Sequence, residues 1–598
     1  MSPAAARARV VAVAAVAAVA AAGCLEAGRP PVDRVECAID DDCRRGEGEV
    51  CDDGVCWGDP PDARFAAVLG PPAGYSGLAV ATELAELDLD DDGWFDDGRS
   101  DGLTLASAVR VSGQVRAPCP PAIDPCSGSL VVPGALRWAR RSAIQGLPDV
   151  VVPTAMQLNS GGGGFEVFLP RPGETTTYTV TFTPSTAPLG PGLPSPASFL
   201  PPYRASVTIG PGEGSELVRD VTLPGAPRTL SGQIVVAGGS AAGWRVHAEA
   251  GDGTVQGALT LASSVAATSA TGEFSLALID DEDVVDLVFE PTALPGGEVE
   301  PPRVRLRDHV VTAALPVLTL PPVERLIAVP VTVTGTDGSG AQAPVSGATV
   351  VARLDQPMGA VFLRHQATAT TAGGVASLQL LLGSEATPLR YQLHVLPGPT
   401  SQLASVHGVE LAVAGVVPTA AVQLPLGRAL VGKVLDEHGF GLPGATVTAA
   451  IATATLCELT SDSLRVARDL APVQATTNSK GEFTLFVDPD LGETSLRYDL
   501  AVAPAAGAWA PRWTFPAQPL SNEHRELWLP AAAHVRARVL DPTGAPAGDT
   551  VVTLYEVTDK PAPCAIGTQG SGGQAIVRAV ATSGPDGLVR AILPRLDD

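Results

Sequence analysis

A glycine recurs once per small domain along this chain, and that period limits what the chain can fold into. Gly164, Gly272, Gly374, Gly481 and Gly587 stand 108, 102, 107 and 106 residues apart, and an alternating apolar and polar run follows each. The stretch Leu430–Pro504 shows the unit most clearly. LVGKVLDEHGFGLPGATVTA (Leu430–Ala449) is a β-branched run, a glycine-rich turn and a second run. TTNSKGEFTLFVDP (Thr476–Pro489) places the Ser479-Lys480-Gly481 turn before a strand in which Phe483, Leu485 and Val487 share one face. Tyr498 to Pro504 closes the unit with another period-two run. A self-similar period of about one hundred residues, built from short strands, reads as tandem β-sandwiches.

Two smaller markers repeat with the glycine. Tyr178…Pro184, Tyr391…Pro397 and Tyr498…Pro504 keep one six-residue step, with Val285…Pro291 as a variant, and Gly347-Ala-Thr-Val recurs at Gly444. This pattern resembles the carboxypeptidase regulatory-like domain, a transthyretin-like (prealbumin-like, Ig-like) sandwich close to the collagen-adhesin B type. The resemblance runs from Leu103 onward and implies rigid spacer or recognition modules, not catalysts; a fold does not by itself fix a function.

The expected order is a signal peptide (1–23), a cysteine-rich module (24–60), an acidic lead-in (61–102) and sandwiches at 103–224, 225–321, 322–425 and 426–530. A fifth, at 531–598, is expected to be incomplete. It has the opening strand, the Pro585-Asp586-Gly587 turn and the strand Leu588–Leu593, but neither a Tyr-or-Val…Pro strand nor a final x-Leu-Pro strand follows. An unpaired edge is therefore expected there. The joints Leu223-Pro224, Leu320-Pro321, Leu424-Pro425 and Leu529-Pro530 are short and stiffened by proline. A linear string of five would extend on the order of 150 Å at about 3.3 Å per strand residue.

Arg7 and Arg9 precede an apolar run from Val10 to Gly23, too short to span a bilayer at about 20 residues. Ala21-Ala22-Gly23-Cys24 resembles a bacterial lipobox, although Ala21 stands where that family usually has Leu. The resemblance implies diacylglycerol on Cys24, an outer-membrane or cell-surface location, and the membrane as a partner through that lipid. The net charge of −25 excludes nucleic acid as a partner.

Cys37, Cys43, Cys51 and Cys56 crowd a Gly/Asp-rich stretch that cannot bury a core unaided, so two disulfides are expected, with three pairings open. Cys119 and Cys126 have hairpin-disulfide spacing; Cys457 and Cys564, on different repeats, read as two separate thiols in preference to the competing reading of one bridge between them. Asp88, Asp90 and Asp92, followed by Gly93, match the first half of a calcium loop, with Asp96 and Asp97 as further oxygen donors. The twelfth position is Arg99, so a solvated acidic loop competes with a structural calcium site; no other cofactor is expected.

Catalytic look-alikes fail on context. Gly98-Arg99-Ser100-Asp101-Gly102 has the nucleophile-elbow spelling but no buried strand before it and no helix after it. Gly439–Gly444 spells a dinucleotide fingerprint where Pro443 and Thr446-Val447 preclude the phosphate-binding helix. His407 and Glu410, with His524 or His534, match a zinc-carboxypeptidase ligand spacing but span one sandwich repeat. Lys433 and Asn522 are a conceivable isopeptide pair, although the first two repeats carry Gln114 and Gln233 at the lysine position. The sequence thus reads as a non-enzymatic surface spacer or scaffold. The competing reading is an adhesive or polysaccharide-binding protein, or one that binds a surface protein, with Trp244, Trp509, Trp513 and Trp528 as stacking platforms.

Overall fold

The computed structural model describes residues 37–595 except 44–48, 53, 59–62, 73–80, 90–92, 98–101, 120–127, 158–163, 172–174, 224–227, 237, 251–259, 279–282, 292–301, 312–314, 322, 324–325, 337–339, 399, 460, 492, 522 and 560–572. The chain is all-β, as its periodicity requires. Two short helices, Thr453–Leu456 and Ser461–Ala467, are inserted in the fourth sandwich.

The fourth sandwich sets the pattern. Its opening strand Arg428–Leu435 pairs antiparallel with Glu482–Val487 and parallel with the last strand, Arg525–Trp528. In the facing sheet Thr446–Ile451 pairs with Arg497–Ala503, which pairs with Trp513–Pro519. The same connections recur from the opening strands Ala108–Pro118, Arg228–Val236 and Leu326–Thr336.

The recurrent glycine has a geometric cause at Gly272, Gly374, Gly481 and Gly587, which all have positive φ, but not at Gly164. Gly481 and Gly587 have φ of +81° and +75°, and their carbonyls accept the N–H of Val434 at 2.8 Å and Val539 at 2.7 Å. A Cβ at either position would lie 2.5 Å from the carbonyl oxygen of that same valine. Only glycine allows the turn and this approach together.

The fifth sandwich corrects the expected division of the chain. Its strand Val551–Thr558 pairs with Arg64–Gly70, which pairs with Thr82–Leu89. Its opening strand Ala532–Leu540 pairs antiparallel with Leu588–Pro594 and parallel with both Trp94–Asp96 and Leu103–Thr104. The acidic lead-in therefore supplies the strands that 531–598 lacks. Leu103 and Leu105 are buried in this core, so the first sandwich opens at Ala108. Phe65, Ala67, Leu69 and Phe95 pack with Val535, Val539, Val552, Leu554 and Leu593 in one cluster, and Phe65 meets Phe95 edge-on at 5.7 Å. Each fully buried aliphatic or aromatic side chain contributes roughly 1.5–3 kcal/mol, a gain that neither half obtains alone.

Closure at the fifth sandwich also overturns the linear string. The chain leaves the fifth sandwich at Leu105, passes through the first four and returns to it at Ala532. Neighbours touch throughout: Arg140 Nη1 to Glu83 at 2.7 Å joins first and fifth, and Val265 N–H to the Ala197 carbonyl at 2.7 Å joins first and second. Arg353 pairs with Asp469 between third and fourth, and Arg578 stacks on Trp513 at 4.5 Å between fourth and fifth.

The second and third sandwiches lie side by side. Arg303–Val310 pairs with Val361–Thr370, fusing one sheet from each into a continuous sheet. Their cores merge in a single cluster. Arg307 spans this seam, stacked 3.8 Å over Phe362 and paired at 3.2 Å with Asp355, which also takes Arg364 at 2.8 Å.

Candidate functional site

The cysteine-rich module is a lid on the fifth sandwich. Cys37 bonds to Cys51 and Cys43 to Cys56, stapling the hairpin Val50–Asp52/Val55–Trp57. That hairpin presents Trp57, 3% exposed, to the outer side of the opening strand. His534 lies between two indoles, 6.0 Å from Trp57 and 5.0 Å from Trp509 of the fourth sandwich. The Arg536 guanidinium lies 5.0 Å from the Trp57 ring and 4.6 Å from Trp94 and pairs with Asp52. Arg595 pairs with Glu49 where both are buried, and Gly58 N–H donates to the His534 carbonyl at 3.1 Å. Module, closing strands, fifth and fourth sandwiches thus meet at one point. Each charged side chain here is paired, which the cost of burying a lone charge demands.

A second polar cluster fills the joint between third and fourth sandwiches. Ser405 Oγ donates to Asp488 at 2.6 Å, and His407 Nε2 lies 2.9 Å from the same Oγ. His394 contacts His407 ring to ring at 5.7 Å, and the Tyr498 hydroxyl donates to the Asp488 carbonyl at 2.8 Å. A cleft of about 460 Å³ opens beside it, lined by Ser405, Asp469, Asp488 and Tyr498. Serine, histidine and aspartate are adjacent, but in the wrong order for nucleophilic catalysis. The hydroxyl proton is already directed at Asp488, so Nε2 is the donor to Oγ and cannot accept its proton. Nδ1 of His407, where a triad aspartate would sit, has no hydrogen-bond partner. Burial holds the imidazoles of His394 and His407 neutral, each lowered to about 4. The arrangement joins two sandwiches.

Other expected sites disperse. His407 is in this joint, Glu410 pairs with Arg390 on the surface, His524 is exposed and His534 is under the lid, so no zinc set assembles from them. Lys433 lies in register with Glu482 and Glu526, and Asn522 lies outside the described residues. Gly439–Gly444 is the expected turn, where the Asp436 carboxylate accepts the N–H groups of His438 at 3.0 Å and Phe440 at 2.8 Å. Asp88 and Asp96 are direct cross-strand partners; Asp97 follows the strand, and Asp90 and Asp92 lie outside the described residues. Ser100, Cys24, Cys126 and Cys564 lie there too. Cys119 is disulfide-bonded. So is Cys457, which corrects its reading as a separate thiol.

Of the four tryptophans considered as stacking platforms, Trp244 is core at 3% exposed. Trp509 and Trp513 are spent on the joint with the fifth sandwich. Trp528 is 49% exposed, with one part of its ring against the Gly439 turn.

In the third and fourth sandwiches the tyrosine of the repeat is a latch. Tyr391 Oη accepts Leu381 N–H at 3.0 Å and lies 2.8 Å from His365 Nδ1, while Tyr498 reaches the carbonyl of Asp488; both bonds to backbone span ten residues. In the fifth sandwich this position belongs to Phe65. Phe65…Pro71 keeps the six-residue step, and Leu103-Thr104-Leu105 repeats the closing pattern of Leu527-Trp528-Leu529. These were the signals for the missing strands, and they stand at the opposite end of the chain.

No protein-family model and no curated protein matches this sequence. Among solved structures the chain is similar to the Bacillus anthracis TIE protein, at 12% identity and a TM-score of 0.16 over 72% of this chain and 73% of that one. It is similar to the shaft pilin spaA from Lactobacillus rhamnosus GG, at 11% identity and a TM-score of 0.18 over 34% and 97%. For the full-length RrgB pilus protein from Streptococcus pneumoniae the values are 11% and 0.16 over 80% and 94%.

Proposed function

We propose that this protein is a non-enzymatic scaffold of the cell envelope, held at the outer membrane or cell surface by lipid on Cys24. The observation that carries the reading is the closure of the fifth sandwich by strands that begin forty residues after Cys24. A pull on the lipidated end passes through the disulfide-stapled lid and Arg64–Gly70 into the C-terminal strands, not along a free string. The joints support the same role, since their buried polar side chains tie sandwich to sandwich and leave Ser405 without a base. The base of the scaffold is then the fifth sandwich, and the fused second and third sandwiches are the part farthest along the chain from the anchor in both directions. Replacing Cys24 by Ser should move the protein from the detergent phase to the aqueous phase and release it from sedimented membranes. Retention of the serine form on membranes refutes the anchor.

A further inference from the structure

We propose that the closing strands Arg64–Gly70, Thr82–Leu89, Trp94–Asp96 and Leu103–Thr104 are exchanged between copies, so that one chain completes the fifth sandwich of another. The partner is a second copy of this chain, and the surface is the face of 532–594 that these strands cover.

Four observations lead there. First, the fifth sandwich is closed from a distance. Arg64 and Asp559 are paired 495 positions apart, whereas in the first sandwich Ser112 reaches Leu217 across 105. In the unfolded chain, loop-closure statistics put the effective concentration of these strands about tenfold below that of a contiguous closure.

Second, the closing strands belong mechanically to the first sandwich. Only Ala106 and Ser107 separate Leu105 from the strand opening at Ala108. Glu83, on a closing strand, accepts Arg140 at 2.7 Å, Ser142 Oγ at 2.5 Å and Ala143 N–H at 3.1 Å, all from the first sandwich. Third, the receiving strands are held by the fourth sandwich through Trp509 against His534 and Trp513 against Arg578. An opening of the circuit between Arg64–Gly70 and Val551–Thr558 also breaks the packing of Ile144 on Val557 and of the lid's Trp57 on His534, contacts that an incoming second copy restores because it brings its own lid and first sandwich.

Fourth, the parted halves cannot remain bare. The receiving half would uncover Val535, Val539, Val552 and Leu554 along strands left with one edge unpaired, and such an edge is filled by whatever strand fits. A second copy offers the same residues in the same register. Each chain has one donor and one receiver, so exchange runs head to tail and yields closed dimers or longer assemblies.

Val68 and Thr553 are cross-strand partners, both half-buried. Two full-length chains are prepared, one with Val68→Cys and one with Thr553→Cys, unfolded, mixed, refolded and oxidised with glutathione disulfide. We expect a disulfide joining the two different chains, its ratio to uncrosslinked protein rising about tenfold for each tenfold rise in protein concentration. A single chain carrying both substitutions serves as the control that the positions can bridge. If that control bridges within itself while the mixed chains give no cross-link at any concentration, exchange does not occur.

Discussion

Phe65→Ala should loosen strands at the far end of the sequence. Phe65 is 3% exposed, packs edge-on against Phe95 and lies opposite Glu556 in the pairing of Arg64–Gly70 with Val551–Thr558. These two rings are the aromatic side chains of a buried cluster otherwise made of Leu, Val and Ala. Truncating a buried Phe costs about 3–5 kcal/mol, against about 5–15 kcal/mol for a whole domain. At 3 kcal/mol, amide protection limited by opening of this sandwich falls by about two orders of magnitude. Hydrogen exchange followed by peptide mass analysis should show that fall in Ala532–Leu540 and Val551–Thr558 as well as in Arg64–Gly70. Phe274→Ala is the matched control. Phe274 is 5% exposed and meets Phe289 at 5.7 Å in the second sandwich, and its loss should leave the C-terminal strands protected. If Phe65→Ala leaves 532–558 as protected as in the parent, the fifth sandwich does not depend on the N-terminal strands.

Two further outcomes follow from the same architecture. A chain ending at Pro530 should aggregate more than the full chain, because Phe65, Leu69 and Phe95 lose the partners that cover them; sedimentation at equal concentration measures this, and equal solubility refutes it. The third sandwich should weaken in acid. Burial lowers His365, His394 and His407 each to about 4 from 6.5, so the unfolded chain binds protons that the folded chain refuses. Their contribution is fully present above pH 6.5 and is lost as pH falls towards 4, about 3 kcal/mol for His365 alone. Melting followed from pH 7 to 5 should therefore show a falling midpoint, and His365→Gln should flatten it.

Much of the fold could be read from the sequence because local sterics repeat. At Gly272, Gly374, Gly481 and Gly587 the turn has positive φ and its carbonyl meets the opening strand, and Tyr391 and Tyr498 each precede their proline by one strand length. What could not be read is how strands combine across distance. Phe65…Pro71 and Leu103-Thr104-Leu105 carry the repeat's markers, yet contiguity is a strong expectation, and nothing local to 531–598 says that its missing strands come first in the chain. The same limit hid the fusion of second and third sandwiches, since Arg303–Val310 and Val361–Thr370 are ordinary edge strands until they meet. Trp57, His534 and Trp509 come from three segments, each of which reads alone as isolated packing.

The acidity of the N-terminal strands makes sense in the order of synthesis. Arg64–Gly70 and its neighbours leave the ribosome well before their partners in Ala532–Leu540, Val551–Thr558 and Leu588–Pro594. In between, these strands must neither pair wrongly nor aggregate. Asp88 opposite Asp96 works against the hairpin when it stands alone. Like charges directly across a strand pair are destabilising, on a scale of roughly 0.2–1 kcal/mol per cross-strand pair. Glu86 and Asp88 remain exposed in the finished fold and would oppose edge-to-edge association before it. The compensating gain comes from the apolar face, where Phe95 pairs in register with Ala537 and packs against Phe65 once the opening strand arrives. Glu86, Asp88 and Asp96 thus keep the earlier-made strands apart until the later-made strands cover their apolar face.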